Sequence, residues 1–374
     1  MKMPGNRRII QVVPRMTPAL CGVSDGALLL AGELETGFGI QTAIAVLNAS
    51  QTHDVPFPIL YGSPAQLLET CLALTEGRPG YLLVHLSGYG YSSDGAPTLL
   101  AEALRSVRAS GLFRIAVFFH ELFATGVPWR SAFWHARRQK RAVRGIAEAC
   151  DLLVTNTHSY VDWLHRETVP QFASPIQYMP VFSQVGEAQQ RISLDDRDSV
   201  MAVFGLGGTR QNAYRELPAL GDLLHQLGIQ EIVDIGPEFE APGEVGGIPV
   251  RRMGVLPAAD VARQLSRSSF GFLSYPRTRL AKSGVFAGYC AHGVIPVIAR
   301  HFPGQVDGLE DGVHVLSSHT STAAQASGLE SRSIAAWRWY AGHSLHDHAA
   351  LYARWMDEST DEMETAPQGA SREK

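Results

Sequence analysis

Residues 274–297 read SYPRTRLAKSGVFAGYCAHGVIPV, and this stretch follows the pattern strand, loop, helix, strand. It contains the end of an apolar run, a polar loop, a helical pattern that begins near Lys282, and a second apolar run from Ile295. Short apolar runs bounded by turn residues are typical of buried strands, and a helix that joins two of them is typical of parallel β-α-β units. The stretch therefore predicts part of a parallel sheet with a helix packed on it.

The same alternation continues on both sides of this unit. In the second half, strands are predicted at residues 200–204, 231–235, 270–275, 295–299 and 313–316, and helices at residues 213–227, 258–266 and 282–291. In the first half, strands are predicted at residues 9–13, 40–47, 81–86, 115–119, 152–155 and 177–181, and helices at residues 25–35, 98–109 and 134–149. A chain of 374 residues exceeds what one hydrophobic core usually organises. The predicted fold class is therefore α/β, with two doubly wound, Rossmann-like domains.

Changes in composition place the domain boundaries. Residues 1–185 are predicted to form an N-terminal domain and residues 200–330 a C-terminal domain, joined by a polar linker at residues 186–199. The aromatic-rich residues 331–356 predict a helical segment that packs back on the body. Residues 357–374 are charged and poor in apolar anchors, so we expect them to be disordered.

The bulk composition excludes several classes of protein. The formal net charge is −4, which argues against a nucleic-acid partner, and no apolar run approaches the roughly 18 residues of a membrane span. The basic residues between 137 and 144 are interpreted as a solvated helix face, with an anionic surface as the alternative. The four cysteines form no CxxC pair, which favours a reducing compartment. These features predict a cytoplasmic protein with at most peripheral membrane contact.

Two patterns resemble metal sites but favour another interpretation. Asp196 and Asp198 form a DxD pattern inside the polar linker, where acidic residues are common. The second pattern lies in the aromatic helical segment, where packing and hydrogen bonding are the more usual roles, and consists of His343, His346, Asp347 and His348. We therefore expect neither a metal nor a bound cofactor.

A glycine-rich turn precedes a predicted helix in the C-terminal domain. In FGLGGTRQNAYR, residues 204–215, Gly207 and Gly208 follow the strand and Arg210 lies near the start of the helix. Glycine amides, a helix N-terminus and a guanidinium group together suit a diphosphate. The turn lacks the GK[ST] ending of a P-loop, so nucleotide hydrolysis is not indicated.

A second anion site is predicted where the helix of the opening stretch begins. Lys282, Ser283 and Gly284 stand at that helix start, so backbone amides, a hydroxyl and an ammonium group can converge on one phosphate. The alternative is that Ser283 is an ordinary helix cap and Lys282 a solvated charge.

The first glycine turn of the N-terminal domain is a candidate ligand contact. The segment GVSDG, residues 22–26, places Gly22, Ser24 and Asp25 just before an apolar helical face. In a doubly wound fold, ligands meet the sheet at such turns. The alternative is a simple glycine turn with a capping side chain.

The loop after the third predicted strand mixes glycines with aromatic and hydroxyl side chains. Its sequence HLSGYGYSSDGAP, residues 85–97, offers Tyr89 and Tyr91 for stacking and hydrogen bonding to a sugar or base. His85 lies within the strand itself and is interpreted as a satisfied core histidine. The loop is thus a candidate for acceptor binding.

His120 and Glu121 are the candidate catalytic residues. They follow the strand in FFHELFATGVPW, residues 118–129, at the position where open α/β sheets contact their ligands. A histidine there can hold a substrate hydroxyl or stabilise developing charge, and Glu121 can set its tautomer or accept a proton. The alternative is a structural histidine at a strand end.

Taken together, these segments resemble the GT-B glycosyltransferases, in particular the retaining family 4 group. The similar segments are GVSDGALLLAGEL at residues 22–34, FFHELFATG at 118–126, AEACDLLVTNTHSYVDWL at 147–164 and the stretch 254–297. The resemblance implies two Rossmann-like domains that face a central cleft. It also implies metal-independent transfer of a sugar from a nucleoside diphosphate sugar to an acceptor on the N-terminal domain. The matching histidine is an active-site residue in the family, which implies the same role for His120.

One departure from the family pattern leaves alternatives open. Family members usually carry two glutamates eight positions apart that hold donor sugar and ribose hydroxyls, and counting back from Gly293 places Leu280 and Gly288 there. The chain is then either a glycosyltransferase that holds its donor through Arg210 and Lys282, or a silent homologue that binds nucleotide or glycan as a regulatory subunit. A nucleotide-sugar epimerase of similar architecture is a third possibility. The acceptor stays open among glycans, lipid-linked and small molecules.

Overall fold

A computed structural model describes residues 7–16, 22–48, 55–124, 131–167, 176–237, 239–301, 303–317 and 328–365, without the side chains of residues 131–134 and 360–365. The chain divides into two compact units. The first unit contains Met1–Thr155, Ser159–Tyr178 and Leu345–Lys374. The second unit contains Asn156–His158 and Met179–Ser344. Each unit is built around its own sheet.

The first unit holds a seven-stranded parallel sheet with the order β3-β2-β1-β4-β5-β6-β7. Its strands are β1 (Arg8–Val13), β2 (Gln41–Val46), β3 (Ile59–Tyr61), β4 (Gly80–Leu86), β5 (Phe113–Phe119), β6 (Leu152–Thr155) and β7 (Ile176–Tyr178). The connecting helices are α1 (Gly22–Phe38), α2 (Leu67–Thr75), α3 (Gly88–Tyr91), α4 (Thr98–Ala109), α5 (Ser131–Ala147) and α6 (His158–Glu167). Strand β4 is buried along its whole length, as expected of a central parallel strand covered on both faces.

The second unit holds a seven-stranded sheet with the order β10-β11-β9-β8-β12-β13-β16, parallel except for the pair β10 and β11. Its strands are β8 (Asp198–Phe204), β9 (Glu231–Ile235), β10 (Glu244–Val245), β11 (Ile248–Gly254), β12 (Ser268–Phe272), β13 (Ile295–Ile298) and β16 (Leu316–Ser317); β14 (Gln305–Val306) pairs with β15 (Leu309–Glu310) separately. The helices are α7 (Gly207–Glu216), α8 (Gly221–Gln226), α9 (Ala258–Arg267), α10 (Gly284–Ala291) and α11 (Leu329–Tyr340).

Each sheet has one place where the strand order reverses. In the first unit this place lies between β1 and β4, and in the second unit between β8 and β12. Because the strands are parallel, their carboxyl ends share one edge, and ligands of open α/β sheets bind at that edge near the reversal. The carboxyl ends of β1, β4, β8 and β12 therefore define where a site is expected.

The helix that follows β8 differs from its prediction. The sequence predicts one helix at residues 213–227, whereas α7 begins at Gly207 and is separated from α8 by a 3-10 turn at Leu217–Leu220. Pro218 lies in this turn and lacks the amide hydrogen that a continuous α-helix requires. Strands β3, β10 and β11 and helices α2 and α6 were not predicted. The three strands lie at or next to the sheet edges, where partial exposure dilutes the apolar pattern.

The C-terminal segment also differs from its prediction. Instead of one helix at residues 331–356, the structure has α11 in the second unit and a further helix, α12 (Leu345–Thr365), in the first. Helix α12 continues as far as Thr365, past residue 357 where the sequence predicts the start of a disordered tail, and Asp357 pairs with Arg7. No helix among the described residues is long and apolar enough to cross a membrane.

Candidate functional site

The glycine-rich turn after β8 opens α7 at the carboxyl edge of the second sheet. Gly205 has a φ of 126°, a conformation that favours glycine. Gly207 is the first residue of α7, and a Cβ atom built on the exposed Gly208 would meet nothing within 4 Å. Because the first amides of a helix have no acceptor within the helix, this turn offers donors to an anion.

Arg210 is not exposed at this edge. Its side chain is 0% exposed, with Nη1 2.5 Å from a carboxylate oxygen of Asp234 on β9. Its Nε donates to the carbonyl of Gly205 at 3.0 Å, and Nη2 donates to the carbonyl of Pro237. Burial raises the pKa of Asp234, and the charge of Arg210 opposes that rise. The predicted diphosphate contact of Arg210 is therefore corrected: the guanidinium group holds the turns after β8 and β9 together.

The start of α10 lies beside the start of α7. A Cβ atom on Gly205 would come within 3.1 Å of Cγ2 of Val285, the second residue of α10. Ser283 is buried, and its Oγ accepts the amide hydrogen of Phe286 at an N–O distance of 3.2 Å. The hydroxyl of Ser283 thus caps the helix, which is the alternative that the sequence left open. Two helix N-termini consequently meet at one edge of the sheet.

A short cationic segment leads into α10. Lys282 is partly buried at the end of the 3-10 turn Arg277–Lys282, and Gly284 is the first residue of α10. The same turn also carries Arg277 and Arg279, which are both exposed and were not predicted as site residues. Basic residues recur in PRTRLAK, within one loop at a strand end, and this pattern could have predicted a cationic site there. The structure therefore places three cations on one turn after β12.

At the carboxyl edge of the first sheet, His120 and Glu121 follow β5. The imidazole of His120 is partly buried, and it packs edge-on against Phe118 at a centroid distance of 4.4 Å. Its Nε2 lies 3.3 Å from Nδ1 of His85 on β4. Glu121 is exposed. The two candidate catalytic residues therefore lie where they were predicted, and one of them contacts a buried histidine.

His85 is the core histidine that the sequence predicted. It is 4% exposed, and its Nε2 lies 2.7 Å from Oε1 of Gln11 on β1. Burial lowers the pKa of His85 to about 3, with a smaller contribution from the charge of His348. The ring is therefore neutral at physiological pH.

The two tyrosines of the α3 loop have different environments. Tyr91 is buried, and its hydroxyl lies within hydrogen-bonding distance of the carbonyls of Val12, at 3.1 Å, and His85, at 3.2 Å. Its predicted role in acceptor binding is corrected, because the side chain bridges β1 and β4 inside the core. Tyr89 is 50% exposed, and its hydroxyl accepts a hydrogen bond from Gln139 at 3.3 Å. Tyr89 alone of the pair presents a ring to solvent.

The first glycine turn is only partly available to a ligand. Gly22 is exposed as the first residue of α1, and Asp25 is partly buried in the first turn of that helix. Ser24 is 1% exposed, and its hydroxyl donates to the carbonyl of Arg15 at 2.5 Å. Ser24 is therefore not the ligand contact that was predicted, because its hydroxyl holds the turn in place through the carbonyl of Arg15. Residues 17–21 of this turn lie outside the described part of the chain.

Residues of the two metal-like patterns form ion pairs and packing contacts with other side chains. Asp198 pairs with Arg267, and the exposed His346 pairs with Glu33 on α1. His348 is buried against Phe118. Within the described ranges, no group of three or more histidine, cysteine, aspartate or glutamate side chains is placed to hold a metal ion.

No protein-family model and no curated protein sequence matches the chain. Its structure is similar to an α-glucosyltransferase in complex with UDP and a 13-mer DNA, with a TM-score of 0.59, 12% identity and coverage of 95% of this chain and 99% of that chain. It is also similar to α,α-trehalose 6-phosphate synthase from Burkholderia multivorans (TM-score 0.57, 12% identity, 98% and 100% covered). A sucrose-phosphate synthase from Thermosynechococcus elongatus gives a TM-score of 0.56 at 11% identity, with 95% and 99% covered. At such identities the likeness concerns the fold, and it confirms the GT-B class predicted from the sequence.

Proposed function

We propose that this protein is a glycosyltransferase that moves a sugar from a nucleoside diphosphate sugar to an acceptor. The supporting fold covers nearly the whole chain, and one similar structure is a glucosyltransferase in complex with UDP. The observation that carries the proposal is the meeting of the α7 and α10 N-termini, where a Cβ atom built on Gly205 would come within 3.1 Å of Cγ2 of Val285. Converging helix N-termini beside a lysine suit a diphosphate group.

The donor diphosphate binds at this edge of the second sheet. The amides of Gly207, Gly208 and Gly284 donate to its oxygens, and the ammonium group of Lys282 neutralises its charge. The same groups stabilise the negative charge that develops on the departing diphosphate, a role that metal ions fill in other enzymes. Arg210 acts indirectly, because it holds the turn that presents these amides.

The first unit supplies the acceptor side of the reaction. His120 and Glu121 at the end of β5 are the proposed catalytic pair, with His120 as a partner for a substrate hydroxyl. The exposed ring of Tyr89 and the first turn of α1, with Gly22 and Asp25, contact the acceptor.

A second candidate function is nucleotide binding without transfer. At the two positions where the family usually has glutamates, Leu280 is 1% exposed and a Cβ atom on Gly288 would lie 2.9 Å from Phe204. Neither position offers a carboxylate to a donor sugar. A silent regulatory homologue would retain the diphosphate site and lack turnover.

Lys282→Ala tests the donor site. We expect it to weaken binding of a nucleoside diphosphate about 10- to 100-fold in calorimetry, because a charge-assisted contact contributes roughly 1.5–3 kcal/mol. Arg267→Ala is the matched control, since Arg267 pairs with Asp198 at the opposite edge of the same sheet. The proposal fails if no nucleoside diphosphate binds or if both variants weaken binding alike. Binding without sugar transfer or donor hydrolysis across a panel of nucleotide sugars selects the silent homologue instead.

A further inference from the structure

Three side chains of the first unit form a continuous hydrogen-bonded row across β1, β4 and the end of β5. Gln11 Oε1 lies 2.7 Å from His85 Nε2, and His85 Nδ1 lies 3.3 Å from His120 Nε2. Gln11 is 0% exposed and His85 is 4% exposed. The row therefore runs from a fully buried amide to the candidate catalytic histidine.

The orientation of the Gln11 amide is fixed at its other end. Its Nε2 donates to the carbonyl of Ala27 on α1 at 3.0 Å. A flipped amide would place its oxygen against that carbonyl, so that two acceptors would face each other in a dry environment. The amide oxygen consequently faces His85, and His85 must carry its hydrogen on Nε2.

The tautomer of His85 then determines which ring nitrogen of His120 faces it with a hydrogen atom. A neutral imidazole with hydrogen on Nε2 has a lone pair on Nδ1, and burial disfavours a second proton because it lowers the pKa of His85. The Nδ1 lone pair accepts only from a donor, so His120 must carry hydrogen on Nε2. In a neutral His120 ring, Nδ1 is then the unprotonated nitrogen. The hydroxyl of Tyr91 donates to the carbonyl of His85 and so holds the β4 backbone in place at this residue.

We propose that Gln11 and His85 are positioning residues that hold His120 as the Nε2–H tautomer, so that His120 accepts a hydrogen bond from a substrate hydroxyl through Nδ1. The substrate contact rests on the proposed function, whereas the tautomer does not. A neutral acceptor nitrogen recognises a hydroxyl group and not a phosphate anion. His120 is accordingly assigned to a hydroxyl of the sugar or acceptor, and not to the departing diphosphate.

The tautomers can be measured in the wild-type protein without any turnover. With ¹⁵N-labelled histidine, we expect His85 and His120 both to show the neutral Nε2–H pattern at pH 7, with their signals identified by loss in His85→Gln and His120→Gln. An Nδ1–H tautomer or an imidazolium at either residue overturns the proposal. The tautomers themselves are read from the spectrum of the wild-type protein, and the two variants serve only to assign its signals.

Gln11→Met tests the cause, because it removes the acceptor and keeps a side chain of similar length. We expect His120 to change from one tautomer to a mixture, and sugar transfer, where present, to lose about 10-fold or more in kcat, as with other partners that orient a catalytic group. Binding of nucleoside diphosphate to the second unit should not change. Thr42→Val is the matched control, since Thr42 is buried on the neighbouring strand β2 and lies outside the row. We expect it to leave a single tautomer.

The outcomes separate this inference from the proposed function. A single Nε2–H tautomer of His120 that persists in Gln11→Met overturns the positioning role, whatever the activity. The expected tautomers in a protein that transfers no sugar sustain the positioning role and refute the proposed function.

Discussion

Arg210 shows how complete burial changes the role of a charged side chain. The guanidinium group is enclosed between the ends of β8 and β9, where it bonds one carboxylate and two carbonyls. A Cβ atom on Gly236 would lie 2.1 Å from the carbonyl oxygen of Gly205, so the two turns already touch there. Arginine suits this place because its planar group has several donors in a fixed arrangement. A phosphate would have to displace these contacts to reach it.

Removing the charge of Arg210 is expected to destabilise the second unit strongly. In Arg210→Met, the carboxylate of Asp234 stays buried without its partner, and the free energy of unfolding should fall by about 3–5 kcal/mol in urea titrations. Arg251→Ala is the control, because its pair with Glu231 is exposed and contributes about 0–1 kcal/mol. Equal effects of the two substitutions would contradict a structural role for Arg210.

At the scale of elements, the start of α7 and the strand β12 differ in the space that they leave for a side chain. The start of α7 is open at Gly208, whereas β12 is tightly packed at Gly271, where a Cβ atom would lie 2.4 Å from the ring of Tyr289. That ring is buried, and its hydroxyl lies 2.9 Å from the carbonyls of Ala202 and Phe272. The helix start therefore has room for a ligand, and the strand has none for a methyl group.

Alanine at Gly271 is expected to lower stability, whereas alanine at Gly208 is expected to weaken ligand binding. Gly271→Ala is expected to lower the free energy of unfolding by about 1–3 kcal/mol, because the Tyr289 ring cannot move without losing its hydrogen bonds. Gly208→Ala should change it by no more than about 0.5 kcal/mol, yet weaken binding of nucleoside diphosphate, because the methyl group occupies the approach to the helix amides. Urea titrations and calorimetry measure the two effects. Normal diphosphate affinity in Gly208→Ala would contradict binding at the α7 start.

At the scale of the whole molecule, the first unit is not continuous in sequence. Helix α12 comes from the C-terminal end of the chain and packs on the sheet built by the N-terminal half. The hydroxyl of Tyr81 on β4 donates to the carbonyl of Met356 at 2.9 Å, and Trp355 packs edge-on against the Tyr81 ring at 5.4 Å. Tyr352 is buried on the same helix. The last part of the chain is therefore needed to complete the first core.

Tyr352→Ala tests this dependence. We expect it to lower the stability of the first unit by about 3–5 kcal/mol, since it removes a buried aromatic side chain. Hydrogen exchange should accelerate in peptides from β1 and β4 and stay unchanged in peptides from β8 and β12. His346→Ala on the same helix is the control, because this side chain is exposed and its loss should cost about 0.5 kcal/mol or less. Equal acceleration in both units would contradict the assignment of α12 to the first unit.

The alternation of strands and helices and the α/β class follow from the sequence alone. Central strands such as β4 are buried on both faces, so their apolar runs are visible without knowledge of their neighbours. Helix α4 was predicted at its observed bounds, Thr98–Ala109, because its apolar residues recur at helical spacing. Gly207, Gly284 and His120 were likewise located, since position relative to a strand end is local information.

Which of the predicted polar groups are bonded inside the core depends on the tertiary structure. Arg210 meets Asp234 across 24 residues, and Tyr91 meets Val12 across 79 residues. Such pairs depend on strand order and register, which the apolar pattern of one segment does not encode. For the same reason, the row from Gln11 through His85 to His120 becomes visible only when β1, β4 and β5 lie side by side.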